Sequence, residues 1–282
     1  MKSIVVTGVS TGIGKNITEV FIQRGYRVFG SVRKQKDADQ LQAEFGEAFI
    51  PLLFDVTDKA AVQSAAKQVR EILKGETLFG LVNNAGIAVA APILYLEIEE
   101  FRKQLEINIV GQLIVTQAFA PLLGADKSLK GQPGRIVNIG SVSGRNGSPF
   151  LGAYAASKHA LEGLSESMRR ELMLYNIDVI LVAPGPIATP IWDKAEEEVD
   201  PEKYRHTDFY ESGKKFRAYS IANGRKGLPP EAVSNVVFKA LTGANPRVRY
   251  AVDPNPFMSW LMSLLPKRQL DAVIAKGLGF RK

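Results

Sequence analysis

The chain contains no cysteine and only two histidines among its 282 residues. The absence of cysteine excludes a disulfide framework, cysteine-ligated zinc, iron–sulfur clusters and thiol nucleophiles. With His159 and His206 as its imidazoles, the chain also lacks the residues for a histidine-rich metal site or a zincin-type histidine pair. Any chemistry must therefore use hydroxyls, amines, carboxylates or a borrowed cofactor, and we expect no metal site.

Long hydrophobic runs are missing as well. No stretch reaches the roughly 18 uninterrupted apolar residues of a membrane span, and the longest candidate, Ile107 to Ala125, contains Asn108 and Gln112. This segment is typical of a buried helix in a soluble protein. The apolar run that starts at Ile4 is too short for the core of a signal peptide. We therefore expect a soluble, cytoplasmic protein.

The charge balance is basic but unevenly distributed. The chain has 36 Lys+Arg against 29 Asp+Glu, a formal net charge of +7. Residues Pro266 to Lys282 contribute five basic side chains and one acidic side chain, so the excess is largely a property of the tail. Because no basic stripe is interleaved with aromatic residues and no nucleic-acid-binding motif is present, we expect no nucleic-acid partner.

Seven short apolar runs alternate with segments of helical period. They are Ile4 to Thr7, Arg27 to Val32, Phe49 to Phe54, Leu78 to Val82, Arg135 to Ile139, Asp178 to Val182 and Arg249 to Val252. Most of them are continuously hydrophobic, as expected for parallel strands covered on both faces. Repeated βαβ units predict an α/β fold, a doubly wound parallel sheet of the Rossmann type with helices on both faces. Its ligand site would lie beyond the carboxyl ends of the strands.

Two segments depart from this alternation. Residues 187–228 are aromatic and charged, and they predict either a substrate lid or a solvated surface excursion. In the tail, one helical face carries Phe257, Trp260, Leu261, Leu264 and Leu265. We expect a catalytic domain at 1–255, which includes the lid, and a basic amphipathic extension at 256–282.

The tail allows two interpretations. An apolar helix face followed by Lys267 and Arg268 would suit an anionic membrane surface. The alternative is a helix packed over the substrate pocket or against a partner subunit. The sequence leaves both open.

A glycine-rich segment, TGVSTGIG, follows the first predicted strand and contains Gly8, Gly12 and Gly14. Glycine permits positive φ in a sharp turn, and a backbone without Cβ lets a pyrophosphate approach the N-terminus of a helix. A turn with a purely structural role would have the same composition. The segment is therefore a candidate dinucleotide site that needs further support.

The end of the second predicted strand supplies that support. An NAD-preferring site places Asp or Glu there to bind the ribose 2′-hydroxyl, whereas this chain has Val32 followed by Arg33. A guanidinium binds a 2′-phosphate bidentately, so Arg33 predicts NADP(H) unless it belongs to an ordinary solvated loop. Asp55 and Val56 follow the third strand and could bind the adenine amine, although Asp is also a common helix cap.

A third cluster contains Ser141, Tyr154 and Lys158. Tyr and Lys four residues apart share one face of a helix, and an ammonium beside a phenol favours the phenolate, so we expect Lys158 to lower the pKa of Tyr154. Such a pair is common on helix surfaces. A strand ending in Ser141 and the upstream glycine segment favour a catalytic role here. His159 is one step around the helix from Lys158 and is expected to be a packed or surface residue.

In these motifs the chain resembles the short-chain dehydrogenases/reductases, from Lys2 to about Thr189. The motifs occur in the order TGVSTGIG, NNAG (Asn83 to Gly86), Ile107-Asn108, Ser141, YAASK and PGPIAT (Pro184 to Thr189). The resemblance implies that Tyr154 is the general acid/base, that Lys158 lowers its pKa and binds the nicotinamide ribose, that Ser141 positions the substrate oxygen and that Asn108 supports proton relay. It also implies cofactor contacts from Gly8, Ser10, Thr11, Gly12, Ile13, Gly14, Arg33, Asp55, Val56, Asn83, Ala85, Gly86, Tyr154, Lys158, Pro184, Gly185, Ile187 and Thr189.

The resemblance is strongest to retinol and hydroxysteroid dehydrogenases, and it implies hydride transfer between NADP(H) and a carbonyl or alcohol of a bulky apolar substrate. Carbonyl reduction is the expected direction in the cell. A catalytically silent NADP(H)-binding sensor or scaffold is the alternative. The family also implies a homodimer or homotetramer through the helices around Phe101 to Leu123 and Gly152 to Tyr175.

Overall fold

The seven runs predicted as strands build the sheet at the centre of the fold. The computed structural model describes residues 1–198 and 201–280. Within these ranges the strands are β1 (Ser3–Val6), β2 (Arg27–Val32), β3 (Phe49–Leu53), β4 (Gly80–Asn83), β5 (Arg135–Ile139), β6 (Asp178–Pro184) and β7 (Arg249–Val252). All pairings are parallel and the order is β3-β2-β1-β4-β5-β6-β7. The predicted doubly wound α/β fold is confirmed.

Helices connect the strands and cover both faces of the sheet. They are α1 (Gly12–Gln23), α2 (Gln35–Phe45), α3 (Lys59–Leu73), α4 (Ile98–Leu105), α5 (Gly111–Phe119), α6 (Gly152–Glu171), α7 (Ile191–Glu198), α8 (Tyr210–Arg225), α9 (Pro230–Thr242), α10 (Pro256–Leu264) and α11 (Lys267–Leu278). Along β1, Ile4 and Val6 pack into the layer that contains α1 and α9, whereas Val5 packs into the layer that contains α3 and α5. Because both faces are covered, the strands are continuously hydrophobic.

A long helix, Ile98–Leu123, contains α4 and α5 joined by a π-helical turn at Glu106–Val110. By length and composition alone it could cross a membrane, with a mean hydropathy of 1.3 over its most apolar window. Its inner face is part of the core, where Val115 and Phe119 are fully buried. The inner face of this helix therefore packs in the core, and 39% of its most apolar window is buried.

The aromatic and charged segment 187–228, which we call the excursion, begins and ends at one short β-bridge. Ile187 and Leu228 form a short parallel bridge, in which the Ala188 amide donates to the Leu228 carbonyl at 2.9 Å. Between them, α7 packs on α8, and the Trp192 indole donates to the Ile187 carbonyl at 2.7 Å. A Cβ at Gly224 would lie 2.1 Å from the Trp192 ring, so the two helices meet at a glycine. The bridge therefore joins the first and last residues of this segment.

The tail divides into two parts with different surroundings. Helix α11 packs against α8 of the excursion. By contrast, Phe257 on α10 is 70% exposed and Leu264 is 60% exposed. The side chain of Trp260, predicted on the same face, lies outside the described part of the chain, as do residues 281 and 282. In the described part of the tail, α11 thus packs on α8, whereas the side chains of Phe257 and Leu264 on α10 are largely exposed.

Candidate active site

The glycine-rich turn lies at the carboxyl edge of the sheet, where β1 leads into α1. Strands β2 and β4 lie on opposite sides of β1, so the chain changes direction here and opens a crevice beyond the strand ends. Gly8 has φ +69° and Gly12 has φ +60°, which side chains other than glycine rarely adopt. A Cβ at Gly14 would lie 2.2 Å from the Gly8 carbonyl oxygen. The turn therefore requires glycine at all three positions.

The first turn of α1 has free backbone amides. No side chain caps its N-terminus at Thr11, and the first turn contains no acidic residue. Ser10 and Thr11 are exposed, whereas Ile13 is half-buried beneath them. An uncapped helix start behind a glycine turn is a ready site for a phosphate group.

Thr7 and Asn84, to which the sequence motifs assign no role, connect the glycine turn to the end of β4. The Asn84 amide side chain donates to the carbonyls of Thr7 (2.9 Å) and Gly8 (3.0 Å). In return, the Thr7 hydroxyl accepts from the backbone amides of Asn84 (2.9 Å) and Ala85 (3.0 Å). Across β2, the Ser31 hydroxyl accepts from the Gly8 amide at 3.0 Å. Asn84 is the second Asn of the NNAG motif, and that motif was the sequence signal that could have predicted these hydrogen bonds.

The side chain of Asn83, one of the residues predicted to contact the cofactor, does not face the crevice. Its side chain is fully buried and donates to Thr116 and Asn138, both at 2.9 Å. Asn83 is the last residue of β4, and its side chain points into the α5 layer instead of the crevice. Ala85, by contrast, packs directly against the glycine turn, 3.0 Å from where a Cβ on Gly8 would lie.

Arg33 and Asp55 lie at the ends of neighbouring strands. Their side chains form an ion pair at 3.8 Å, and the Arg33 side chain is 70% exposed. Asp55 accepts from the Thr57 amide at 3.0 Å, whereas Asp58 caps α3 by accepting from Ala61. Asp55 is therefore free of the capping role that composition left open. It also lines an open cavity of about 370 Å³ beside α4. The Val56 side chain is buried against Gly111 at the start of α5, so it contributes to packing.

The loop after β6 approaches the same turn. Thr189 side-chain carbons would lie 3.5 Å from a Cβ on Gly12. Pro184 ends β6, and the Gly185 amide donates to the Val252 carbonyl at 2.8 Å, which fixes the loop against β7. The Ile187 side chain is 4% exposed and belongs to the core. Of the residues predicted for this side of the cofactor, Thr189 is the one that the structure places beside the glycine turn.

Ser141, Tyr154 and Lys158 are brought together by β5 and the first two turns of α6. The Ser141 side chain lies close enough to the Tyr154 hydroxyl to act on its pKa as a hydrogen-bonding neighbour. The Lys158 ammonium lies 5.7 Å from the centre of the Tyr154 ring and donates to the Ile139 carbonyl at 2.8 Å. His159 points elsewhere, with a ring nitrogen 2.8 Å from the Ala155 carbonyl, and is exposed. The predicted grouping of the three residues agrees with this geometry.

The acidities within the group differ from the expectation. Burial raises the pKa of Tyr154, and the Ser141 hydrogen bond only partly opposes that effect. Burial lowers the pKa of Lys158 to about 8. The expected lowering of the Tyr154 pKa by Lys158 is thus not found, because desolvation of the phenolate dominates over neighbouring groups.

Asn108 lies on the π-helical turn of the long helix, a distortion that often marks a functional site. Its carboxamide accepts from the Ile87 amide (2.9 Å) and donates to the Ile87 carbonyl and the Ser157 hydroxyl (both 3.0 Å). Ser157 in turn donates to the Tyr154 carbonyl at 2.7 Å. A Cβ on Gly86 would lie 3.1 Å from Asn108 Oδ1, so Gly86 gives this amide room. The YAASK motif contained Ser157, but its role became visible only in the fold.

Comparisons with known proteins agree with this arrangement. A family model described as short chain dehydrogenase matches residues 2–200. The NADPH-dependent 3-dehydrocapnine reductase of Ornithobacterium rhinotracheale is 41% identical over 279 residues, which cover 99% of this chain and 98% of the relative. Human retinol dehydrogenase 16 is 32% identical, with 97% and 87% covered. A short chain dehydrogenase/reductase from Burkholderia phymatum, solved in complex with NAD, superimposes with a TM-score of 0.76 at 25% identity, covering 93% of this chain and 92% of that one. The chain belongs to the short-chain dehydrogenase/reductase family of oxidoreductases.

Proposed function

We propose that the protein is an NADP(H)-dependent oxidoreductase that interconverts the carbonyl and the alcohol of a bulky apolar substrate, such as a retinoid, a steroid or a molecule of similar character. The observation that supports this most directly is the grouping of the Tyr154 hydroxyl with the Lys158 ammonium, 5.7 Å from its ring, and with the neighbouring Ser141 side chain. Two hydroxyls that meet in this way can bind one substrate oxygen between them.

The chain has the features that such a cofactor needs. The uncapped start of α1 behind Gly8, Gly12 and Gly14 suits the pyrophosphate, and an exposed Arg33 suits a 2′-phosphate. A relative 41% identical over nearly the whole chain is named as NADPH-dependent. Bound there, NADP(H) would supply the hydride chemistry. Thr189 would also contact the cofactor, because its side chain lies beside Gly12 of the turn that suits the pyrophosphate.

The residues of the site would transfer a proton between the Tyr154 hydroxyl and the substrate oxygen. Since burial raises the pKa of Tyr154, its phenol is protonated at neutral pH and is ready to donate to a carbonyl oxygen. Ser141 would hold that oxygen, and Lys158 would stabilise the phenolate that remains after donation. Asn108 would support the relay from the π-helical turn. A protonated phenol is the form that donates in carbonyl reduction, the direction that we propose.

The substrate class is inferred from the walls of the site. Aromatic rings of the excursion, Phe209 and Phe216, face the loop that precedes Tyr154. The relatives include a protein named as a retinol dehydrogenase and one named as a 3-dehydrocapnine reductase. We propose that residues 187–228 act as the substrate lid of a catalytic domain at 1–255, and that 256–282 form an extension.

Replacement of Tyr154 by Phe tests the catalytic proposal. We expect Tyr154→Phe to lower carbonyl reduction by about 100-fold or more, the usual contribution of a general acid, while NADPH still binds. Tyr175→Phe, on the far end of the same helical segment, is the matched control and should keep full activity. The assay is NADPH oxidation over a panel of aldehydes and ketones. If the wild-type protein binds NADPH but none of the carbonyl compounds in the panel supports NADPH oxidation, the result would instead support a silent sensor or scaffold.

We also propose a cytoplasmic protein with peripheral membrane contact through α10. The apolar side chains of Phe257 and Leu264 are exposed, and Lys267 and Arg268 follow directly. Such a face suits anionic lipid headgroups. The Phe257→Ser and Leu264→Ser double variant should sediment with anionic liposomes less than wild type, whereas Val248→Ser, at an exposed site elsewhere, should not differ. A change in oligomeric state without a change in liposome binding would assign α10 to a subunit interface.

Association would use the helices that the family resemblance implies. We propose a homodimer or homotetramer in which α4, α5 and α6 form the shared face. Light scattering of the purified protein measures the subunit number. A monomer at all concentrations would contradict this proposal.

A further inference from the structure

Four aromatic rings from three distant segments meet at one end of α6. Phe150 is the centre: its ring lies 5.2 Å from Phe216 and 6.2 Å from Phe209, both from the excursion, and 6.3 Å from Phe280 of the tail. We call this group the Phe150 cluster. It joins the loop before the catalytic helix, the excursion and the C-terminal tail in one apolar contact.

The Phe150 cluster is attached to the start of the helix that carries Tyr154 and Lys158. Phe150 precedes α6 by two residues, and Tyr154 is on the first turn of that helix. The Phe150 carbonyl accepts from the Ala91 amide at 2.8 Å, which ties it to the loop after β4. Its backbone has φ +64°, a conformation that a bulky residue adopts only when its surroundings impose it. The backbone that carries this ring is therefore fixed at a point one helical turn before Tyr154.

The end of α11 aims Phe280 at this cluster. The Gly279 amide donates to the Lys276 carbonyl at 3.3 Å, and the Phe280 amide donates to the Ala275 carbonyl at 2.9 Å. Gly279 has φ +73°. This is a Schellman motif, in which a left-handed glycine turns the chain back and the next residue makes an apolar contact. Here that contact is with Phe150, in a different part of the fold.

We infer that Phe280 is a specificity-determining residue, which closes the apolar end of the substrate site against the Phe150 cluster. The inference rests on the proposed function. Phe209, Phe216 and Phe280 are only half-buried, so their rings keep surface on which the apolar part of a substrate can pack. A small carbonyl compound reaches Tyr154 without touching Phe280, whereas a long apolar one contacts it. Phe280 therefore favours long or bulky substrates over small ones.

The experiment compares decyl methyl ketone with propyl methyl ketone in NADPH oxidation. Phe280→Ala should lower kcat/KM for the decyl ketone by about tenfold, through KM, which is the discrimination that one apolar group supplies in a pocket. The value for the propyl ketone and the KM for NADPH should stay unchanged. Gly279→Ala should reproduce the loss, because alanine disfavours the left-handed turn, and Phe280→Leu should restore most of it. Val273→Ala, at an exposed site on α11, is the matched control.

The outcomes separate the two proposals. An equal loss for both ketones, or no loss for either, overturns the role of Phe280 but leaves the oxidoreductase proposal intact. A thermal unfolding curve of each variant shows whether an equal loss is a folding defect, and that result also counts against a specificity role. Wild-type protein that reduces neither ketone nor any other carbonyl overturns both.

Discussion

The buried ammonium of Lys158 should destabilise the folded protein near neutral pH. The side chain is 5% exposed, and its ammonium donates one hydrogen bond, to the Ile139 carbonyl. Burial lowers its pKa from 10.5 to about 8. Between these values the unfolded chain holds the proton more tightly than the folded chain, so stability rises with pH across this window and the full destabilisation is present below it.

The size of this effect follows from the pKa values. At about 1.4 kcal/mol per pH unit, the lowered pKa of Lys158 corresponds to about 3 kcal/mol at pH 7 and below. Methionine is apolar and of similar length, so Lys158→Met removes this cost, although it leaves the Ile139 carbonyl with one partner fewer, worth about 1–3 kcal/mol. The variant should therefore be as stable as wild type or up to about 2 kcal/mol more stable near pH 7.

The decisive quantity is how that difference changes with pH. Between about pH 7 and about pH 9.5, wild type should gain about 2 kcal/mol relative to Lys158→Met. Urea unfolding at both pH values measures it, and Lys226→Met, at an exposed lysine, is the control. Lys158→Met should also lose activity at both values. A stability difference that is constant with pH, or one that moves toward the variant at high pH, would refute the reasoning.

Two further predictions concern the cofactor and the relay. Arg33→Ala should lower kcat/KM with NADPH by about 10- to 100-fold and leave kcat/KM with NADH unchanged, because a charge-assisted hydrogen bond is worth about 1.5–3 kcal/mol. Lys67→Ala is the control. Equal losses with both cofactors would contradict this prediction. Ser157→Ala should lower kcat about fivefold without changing the KM for NADPH, because Asn108 loses a buried partner worth about 1 kcal/mol. Ser165→Ala, a buried serine on the same helix that bonds Asn138, should reduce stability and leave kcat unchanged. Equal kcat losses in both serine variants would point to general destabilisation.

Much of the fold could be predicted from the sequence because apolar runs and glycine positions are both local signals. Continuous apolar runs such as Arg27 to Val32 identify strands covered on both faces, and the structure has β2 at the same residues. Glycine at positions 8, 12 and 14 encodes a backbone conformation, which acts within a few residues. The pairing of Tyr154 with Lys158 follows from helical periodicity in the same way.

Other parts of the site depended on packing. Asn83 and Asn84 are neighbours in sequence, yet one faces the core and the other the glycine turn, because β4 ends between them. The direction of the Tyr154 pKa shift was mispredicted because sequence spacing shows a neighbouring charge but not the burial that outweighs it. The bond from Asn108 to Ser157 joins two helices and has no signal in either segment alone.

The sequence by itself determined the strands and the glycine turn, since these depend on interactions between residues close along the chain. The tertiary structure alone decided the electrostatic balance at Tyr154 and Lys158, because desolvation depends on everything packed around a group. It also decided where the tail goes. The contact between Phe150 and Phe280 spans nearly half of the chain, and composition could show that both rings are apolar but not that they meet.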